Sequence, residues 1–324
     1  MSAESSAADT LAHALDAVAV EQLSRLSGGA SLETWVATVT GREGTRKVIL
    51  RRDRPGPPQS DRIAEAAVLR QMASAGVPVP AVLAAGPASE NGPAYLVLEF
   101  LEGVTIPRKV LRDKEFTAAR EVLTADVGRA LARIHRVPPA HLPFLPAALS
   151  PRESVERLAE ATERFGDGMV SPVFALAARR LLETAPEGGE PVVVHGDIRT
   201  GNLMVGPRGL MAVLDWELTH LGQPGEDLGW FCVRAWRFGN DAHEAGGLGR
   251  RDELLAAYAD AGGWPIGKAD LDFWELHGTL RWGVTCLSQV AVHLSGHARS
   301  VELAAIGRRV SEVEYDLIQL MRRT

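Results

Sequence analysis

The stretch Val194-His195-Gly196-Asp197-Ile198-Arg199-Thr200-Gly201-Asn202, with Leu214-Asp215-Trp216-Glu217 after it, decides how the rest of this chain is read. A histidine stands two residues before Asp197, an arginine two after it, and an asparagine five after it. The apolar run Met211-Ala212-Val213-Leu214 then ends in a second aspartate, Asp215. A single aspartate in such a place is most simply a turn cap. Several polar residues held at fixed spacing beside a strand-like run form a constellation, and chance agreement at all of these points is improbable.

The same order of residue types, H-R-D-x-K-x-x-N followed by an aspartate that closes a later strand, marks the catalytic loop of kinases. Phosphoryl transfer needs a carboxylate to orient a hydroxyl, an amide and a carboxylate to hold Mg²⁺, and a cation for the moving phosphate. The spacing here supplies each type once.

Composition bounds the rest. The 324 residues suffice for two lobes, each with its own core, and 46% hydrophobic with 23% charged residues is ordinary for a globular protein. A net charge of −6 gives no reason to expect nucleic-acid binding. Two cysteines, Cys232 and Cys286, cannot build a disulfide framework, which fits a reducing cytoplasm. No apolar stretch approaches the length of a membrane span. The first ten residues lack the basic and apolar regions of a signal peptide and read as a frayed tail before a short helix near Leu11–Val18.

Residues 1–99 read as small strands and one helix. Leu23–Leu26 leads into Ser27-Gly28-Gly29-Ala30-Ser31, and Glu33–Thr40 returns as a β-branched strand. Lys47-Val48-Ile49-Leu50-Arg51 is a third strand, ended by Pro55-Gly56-Pro57-Pro58. Ser60 is placed to cap a helix through Ile63, Glu65, Leu69 and Met72, which Val77-Pro78-Val79-Pro80 stops. Val82–Ala85 and Ala94–Glu99 are two more strands. Beyond a connector at residues 100–103 the spacing turns helical, as in Val122, Leu123, Val127, Leu131 and Ile134, and stays so to the end of residues 104–324. The expected fold is α+β and bilobal, a small β-rich N-lobe and a larger helical C-lobe with a ligand cleft between them. Leu303, Ile306, Val310, Val313, Leu317 and Leu320 recur by threes and fours. A helix packed on its own lobe accounts for them better than a dimer seam, so monomer and homodimer both stay open.

These pieces together resemble the aminoglycoside phosphotransferase family, small-molecule kinases with a protein-kinase-like fold. The resemblance runs from Leu26-Ser-Gly-Gly-Ala-Ser31 through Val48–Arg51, Glu65, Tyr95–Gly103 and His195–Asn202 to Asp215-Trp-Glu217, Gly222 and Asp227. Asp215-Trp-Glu-Leu-Thr-His-Leu-Gly222 with Asp227-Leu-Gly-Trp230 is most similar to the branch related to the kinase-like domain fused to some acyl-CoA dehydrogenases. The resemblance implies ATP or GTP with Mg²⁺ as cofactors and Asp197 as the catalytic carboxylate. It implies Asn202 and Asp215 as metal ligands, enough for an ion that keeps several waters and takes phosphate oxygens. Arg199 is favoured as a phosphate ligand over a solvated surface arginine. Glu217 has two open roles, reaching a second metal through water or capping a turn. His195 and Asp227 tie the loop to the helix beneath it. His293 and His297 stand four apart but lack the glutamate of a metalloprotease motif, and both read as ordinary, as does His277.

On the nucleotide side, Ser27, Gly28, Gly29 and Ser31 would form the loop over the phosphates, where missing side chains let backbone N–H groups approach oxygens. Arg51 stands where the phosphate-binding lysine is expected, with Glu65 as its partner; the charge survives and the geometry changes. Backbone groups near Glu99 and Leu101 would meet the adenine edge. Six tryptophans lie at or beyond position 216. They read as helical core, with an apolar acceptor pocket or an ammonium cage as the sharper alternative. Trp230, Arg234, Trp236 and Arg237 are the candidate acceptor residues. The two arginines argue for a neutral or anionic hydroxylated substrate, possible hydroxyacyl compounds included, and against a polycation. Aminoglycoside, macrolide or choline-type substrates are the alternatives. A protein kinase is disfavoured because Gly222 and Asp227 follow Asp215 with no room for an activation segment. A non-catalytic nucleotide-binding protein is the third reading, and intact Asp197, Asn202 and Asp215 stand against it.

Overall fold

A computed structural model describes residues 3–26, 32–42, 44–54, 61–89, 92–165 and 171–323. The N-terminal part is helix α1 (Ala3–Ala14), strands β1 (Ala19–Arg25), β2 (Leu32–Gly41) and β3 (Gly44–Asp53), helix α2 (Arg62–Ser74), and strands β4 (Val82–Gly86) and β5 (Tyr95–Glu99). The strands form one antiparallel sheet in the order β1-β2-β3-β5-β4. Contrary to the expected frayed tail, α1 starts at Ala3. Ala7 and Leu11 are fully buried against Trp35, Val48 and Leu50, and that apolar anchorage is what orders the helix.

Strand β3 shows how the sheet sorts its side chains. Successive residues point to opposite faces. Val48 and Leu50 enter the core under α1, and Arg52 follows them, bonding Glu33 (2.8 Å), Ser6 (3.0 Å) and the Ala3 carbonyl (2.8 Å). Ile49 and Arg51 face the other way, into the cleft. Helix α2 is capped by Asp61, whose carboxylate accepts from Ile63 N (2.8 Å) and Ala64 N (3.1 Å). Ser60, the cap expected from the sequence, lies outside the described residues.

The connector leads into α3 (Pro107–Arg112), α4 (Thr117–His135), α5 (Pro151–Glu163) and α6 (Pro172–Thr184). Short strands follow: β6 (Val192–Val194), β7 (Leu203–Gly206), β8 (Gly209–Val213) and β9 (His220–Gly222). Helices α7 (Pro224–Cys232), α8 (Arg251–Asp260), α9 (Lys268–Leu294), α10 (Val301–Gly307) and α11 (Val310–Met321) complete the chain. The last apolar stretch is thus two helices, and its buried Val313 and Leu317 pack with Phe174 and Leu280 of the same helical region. The central core runs from Leu69 and Leu96 on the sheet side to Leu123, Leu131, Ile198 and Phe231 on the helical side. No described helix is long and apolar enough to cross a membrane.

Candidate active site

Strand β6 is buried throughout and pairs antiparallel with β9, Val194 opposite His220, which delivers His195 to the middle of the helical region. The next two backbone groups land on Asp227 in the first turns of α7. His195 N donates to its Oδ2 (2.7 Å) and Gly196 N to its Oδ1 (2.9 Å). Nε2 of His135 lies 3.1 Å from the same carboxylate, and Nδ1 of His135 meets the Tyr258 hydroxyl (2.8 Å). Burial by itself would raise the pKa of Asp227. The His135 bond and charge, His195 and its backbone bond outweigh that and hold it at about 2. Gly196 cannot be replaced easily: its φ is +83°, and a Cβ there would stand 2.4 Å from the Leu218 carbonyl oxygen.

The His195 ring stitches the loop to the second aspartate. Its Nδ1 accepts from Asp197 N (3.1 Å), so Nε2–H donates to the Leu214 carbonyl (2.9 Å). Leu214 N in turn donates to the Asn202 carbonyl (2.8 Å). Gripped on both sides, Leu214 sets Asp215 beside the loop. Asp215 has φ +69°, left-handed for a residue with a side chain and a strain typical of functional sites.

Asp197 accepts three hydrogen bonds. Trp230 Nε1 donates to Oδ1 (2.9 Å), and Asn202 Nδ2 (2.8 Å) and Arg199 Nε (3.1 Å) donate to Oδ2. Asn202 Nδ2 also donates to the Asp197 carbonyl (2.9 Å), which commits the amide nitrogen and leaves Asn202 its oxygen for another partner. The guanidinium of Arg199 lies 5.4 Å from the Trp236 ring centre.

The end of the loop, Gly201 and Asn202, forms with Leu214 and Asp215 one wall of a cavity of about 520 Å³ between the sheet and the helical region; Asp197 and Arg199 do not line it. Arg51 and Glu65 form the opposite wall as an ion pair, and Arg51 Nη2 reaches across to Asp215 Oδ1 (3.3 Å). Glu65 is also gripped by buried Arg62, which bonds Asp53 (3.1 Å) as well. Glu99 and Leu101 line the cavity at the connector, and the Glu99 carboxylate accepts from Ala81 N (2.8 Å). Asn202, Asp215 and Glu217 line it together. Burial, then the nearby Asp215, raises the Glu217 pKa, a sign of concentrated negative charge. Hard oxygens in a negative field suit Mg²⁺, so the residues fit that ion. Among the described residues there is no group of three or more His, Cys, Asp or Glu side chains that could hold a metal. Ser27, Gly28, Gly29 and Ser31 lie outside the described residues.

The candidate acceptor residues divide. Trp230 touches Asp197, and Trp236 packs against Trp230 with the rings tilted by 54° and their centres 5.1 Å apart. Arg234 and Arg237 do not join them, which corrects the reading from sequence. Arg237 is buried and bonds the Cys232 carbonyl (2.7 Å) and Glu275 (2.8 Å). Arg234 pairs with Asp241 (2.8 Å) and Asp316 (3.0 Å). The short 3₁₀ turn at Arg234–Arg237 swings both towards α9 and α11. Two arginines that sequence reasoning missed share a cavity with Trp230. Arg157 of α5 and Arg281 of α9 line a second cavity of about 390 Å³, which shares Glu217 with the first and includes Trp230. Helical spacing, Ser154 with Arg157 and Leu158, Gly278 with Arg281, puts each set on one helix face, and only the packing makes the faces meet.

Comparison with known proteins agrees with this geometry. The family model described as the phosphotransferase enzyme family, APH, matches residues 22–265. Mouse acyl-CoA dehydrogenase family member 10 is 29% identical over 174 residues, 51% of this chain and 16% of that protein, so the chain matches only a small part of that relative. A candidate aminoglycoside phosphotransferase from Ralstonia eutropha has the same fold, with a TM-score of 0.75, 20% identity and 98% of each chain covered. So has a thermostable mutant of the aminoglycoside phosphotransferase APH(4)-Ia in complex with ADP and hygromycin B, with a TM-score of 0.63, 19% identity and 96% and 98% covered. With its match spanning most of its length and its H-G-D loop set against a β-sheet cleft, the chain belongs to the phosphotransferase enzyme family.

Proposed function

We propose that the protein is a kinase that transfers the γ-phosphate of ATP or GTP to a hydroxyl of a neutral or anionic small molecule. The observation that carries this reading is the meeting of Arg51 and Glu65 from the sheet with Asn202 and Asp215 from the helical region on one cavity, with Asp197 hydrogen-bonded to Asn202. In this reading residues 1–99 are the nucleotide-binding lobe, 100–103 the hinge and 104–324 the lobe of catalysis and acceptor binding.

Asp197 orients the acceptor hydroxyl and takes its proton as the oxygen bonds to the γ-phosphorus. The bond from that phosphorus to the β–γ bridging oxygen breaks, and the nucleoside diphosphate leaves with the electron pair. Trp230 and Asn202 hold the carboxylate in place, and Arg199, beside it, is positioned to exchange its bond to Asp197 for a phosphate oxygen. Arg51, kept in place by Glu65, takes the role of a phosphate ligand. Asn202 Oδ1 and Asp215 would hold Mg²⁺, which supplies charge neutralisation on the phosphates when bound.

The test is turnover. Purified protein would be given Mg·ATP or Mg·GTP with a panel of hydroxylated metabolites, choline and kanamycin included, and phosphorylated product sought by mass spectrometry. Formation of nucleoside diphosphate that stops on adding EDTA is expected. Tight nucleotide binding with no turnover on any compound, and no slow hydrolysis, would overturn the reading in favour of a non-catalytic binding protein.

A further inference from the structure

We infer that the second cavity takes an acceptor with an anionic group, a carboxylate or a phosphate, bound by Arg281 and Arg157 while its hydroxyl lies at Asp197. The inference rests on the phosphotransferase reading and adds the acceptor's charge and place.

Three observations carry it. One side chain links the cavity to the catalytic carboxylate: Trp230 lines it, and Trp230 Nε1 holds Asp197 Oδ1 at 2.9 Å. Its volume of about 390 Å³ suits a metabolite-sized ligand. Its uncommitted charge is positive. Arg281 lies 4.5 Å over the Trp230 ring centre, and among the described residues neither it nor Arg157 forms an ion pair, though the Glu153 carboxylate one turn before Arg157 shares its field. Stacking fixes the plane of a guanidinium and leaves the N–H groups at its edge free for a bidentate anion.

Of the other charged groups that line the cavity, Glu226 is paired and Glu217 alone stands against this field. Glu226 is committed to His220 (3.0 Å) and to Gln223 N (2.7 Å). Burial pushes the His220 pKa down, and the bond and charge of Glu226, the Leu218 carbonyl and Asp227 together outweigh it and raise it. His277 is bonded to Ser154 (2.8 Å), and burial lowers its pKa to about 4, which leaves it neutral near pH 7. Glu217 stands at the seam of the two cavities, beside Asp215. Leu149, Leu158 and Leu218 supply an apolar wall for the carbon skeleton between hydroxyl and anion. Arg234 and Arg237 play no part.

The experiment uses matched pairs with Mg·ATP. Glycerate and 3-hydroxybutyrate would be compared with their methyl esters, and glycerol 3-phosphate with glycerol, so that carboxylate and phosphate are read separately; ethanolamine is the cationic control. The anionic member of at least one pair should show a kcat/KM about tenfold or more above its neutral partner, the order of one charge-assisted contact. In Arg281→Ala that ratio should collapse towards unity through a rise in KM, and Arg281→Lys should recover part of it. Arg157→Ala, on an exposed helix face, should lower the ratio too, and it carries the test if Arg281→Ala fails to fold. Faster transfer to the esters, glycerol or ethanolamine than to the anions overturns the inference. So does hydrolysis of Mg·ATP without transfer to any anion, which leaves the phosphotransferase reading standing. Neither hydrolysis nor transfer would remove both.

Discussion

Arg51–Glu65–Arg62 at the cleft and Arg237–Glu275–Arg251 inside the helical region share one chemistry, a buried carboxylate gripped by two guanidiniums. They differ in where the remaining N–H groups go. Arg51 spends its second nitrogen on Asp215 across an open cavity. Arg237 spends its own on the Cys232 carbonyl and on Asp241 O (3.4 Å), and Arg251 reaches Asp272 (2.5 Å). The first network therefore has a face that a ligand can complete across to Asp215, and the second spends its guanidinium N–H groups on neighbouring carbonyls and carboxylates. Helix α7 links the H-G-D loop to the second network: Asp227 near its start holds the loop, and Cys232 at its end holds Arg237. A buried ion pair is thus no mark of a site unless something beside it is left open.

The largest effect should come from the open side. Asp197→Asn should lower the rate of phosphoryl transfer by about 10²–10⁴-fold, the usual worth of a positioned base. Nucleotide affinity by calorimetry should stay near the wild-type value, because the loss falls on the transition state. A mutant with near wild-type kcat would exclude Asp197 from that role. On the closed side, Glu275→Ala leaves two guanidiniums facing each other with their shared partner gone. It should cost about 3–5 kcal/mol in denaturant unfolding without a specific change in nucleotide affinity. A fully stable variant with impaired nucleotide binding would invert the comparison.

The α7 anchor has a pH signature. The folded-state pKa of Asp227, about 2, lies below its ordinary value of 3.8, so its stabilisation is present above about pH 4 and lost as pH falls through 2. The difference corresponds to about 2 kcal/mol. Asp227→Asn should therefore flatten the acid limb of the stability profile, and an unchanged limb would disprove the assignment. The smallest expected effect is Arg51→Lys. It keeps the charge but gives up the fork that spans Glu65 and Asp215, and nucleotide affinity should fall about tenfold while thermal stability barely moves. An increase in affinity would mean that Arg51 serves structure more than phosphate.

Much of this was legible along the chain. The role of His195 and Asp227 as ties follows from the family resemblance, while the H-G-D loop, Asp215 and the β3 arginine with its α2 partner rest on short spacings or on strand alternation. Such local signals survive reading in one dimension. Arg234 and Arg237 misled because closeness in sequence to the Asp215 segment says nothing about which way a 3₁₀ turn throws its side chains. Trp230 was chosen for its ring, and its hydrogen bond to Asp197 follows only from how α7 packs under the loop.

By itself the sequence determined the family, the α+β class and the candidate catalytic set, since each depends on residue types at fixed separations within a few turns or strands. The tertiary structure alone decided what surrounds that set. Residues 157, 217, 230 and 281 come from four separate segments, and they share a cavity only because α5, α7 and α9 pack around the loop after β8. Charge acts through space, and the distances that give an arginine its partner are set by that packing and not by its position in the chain.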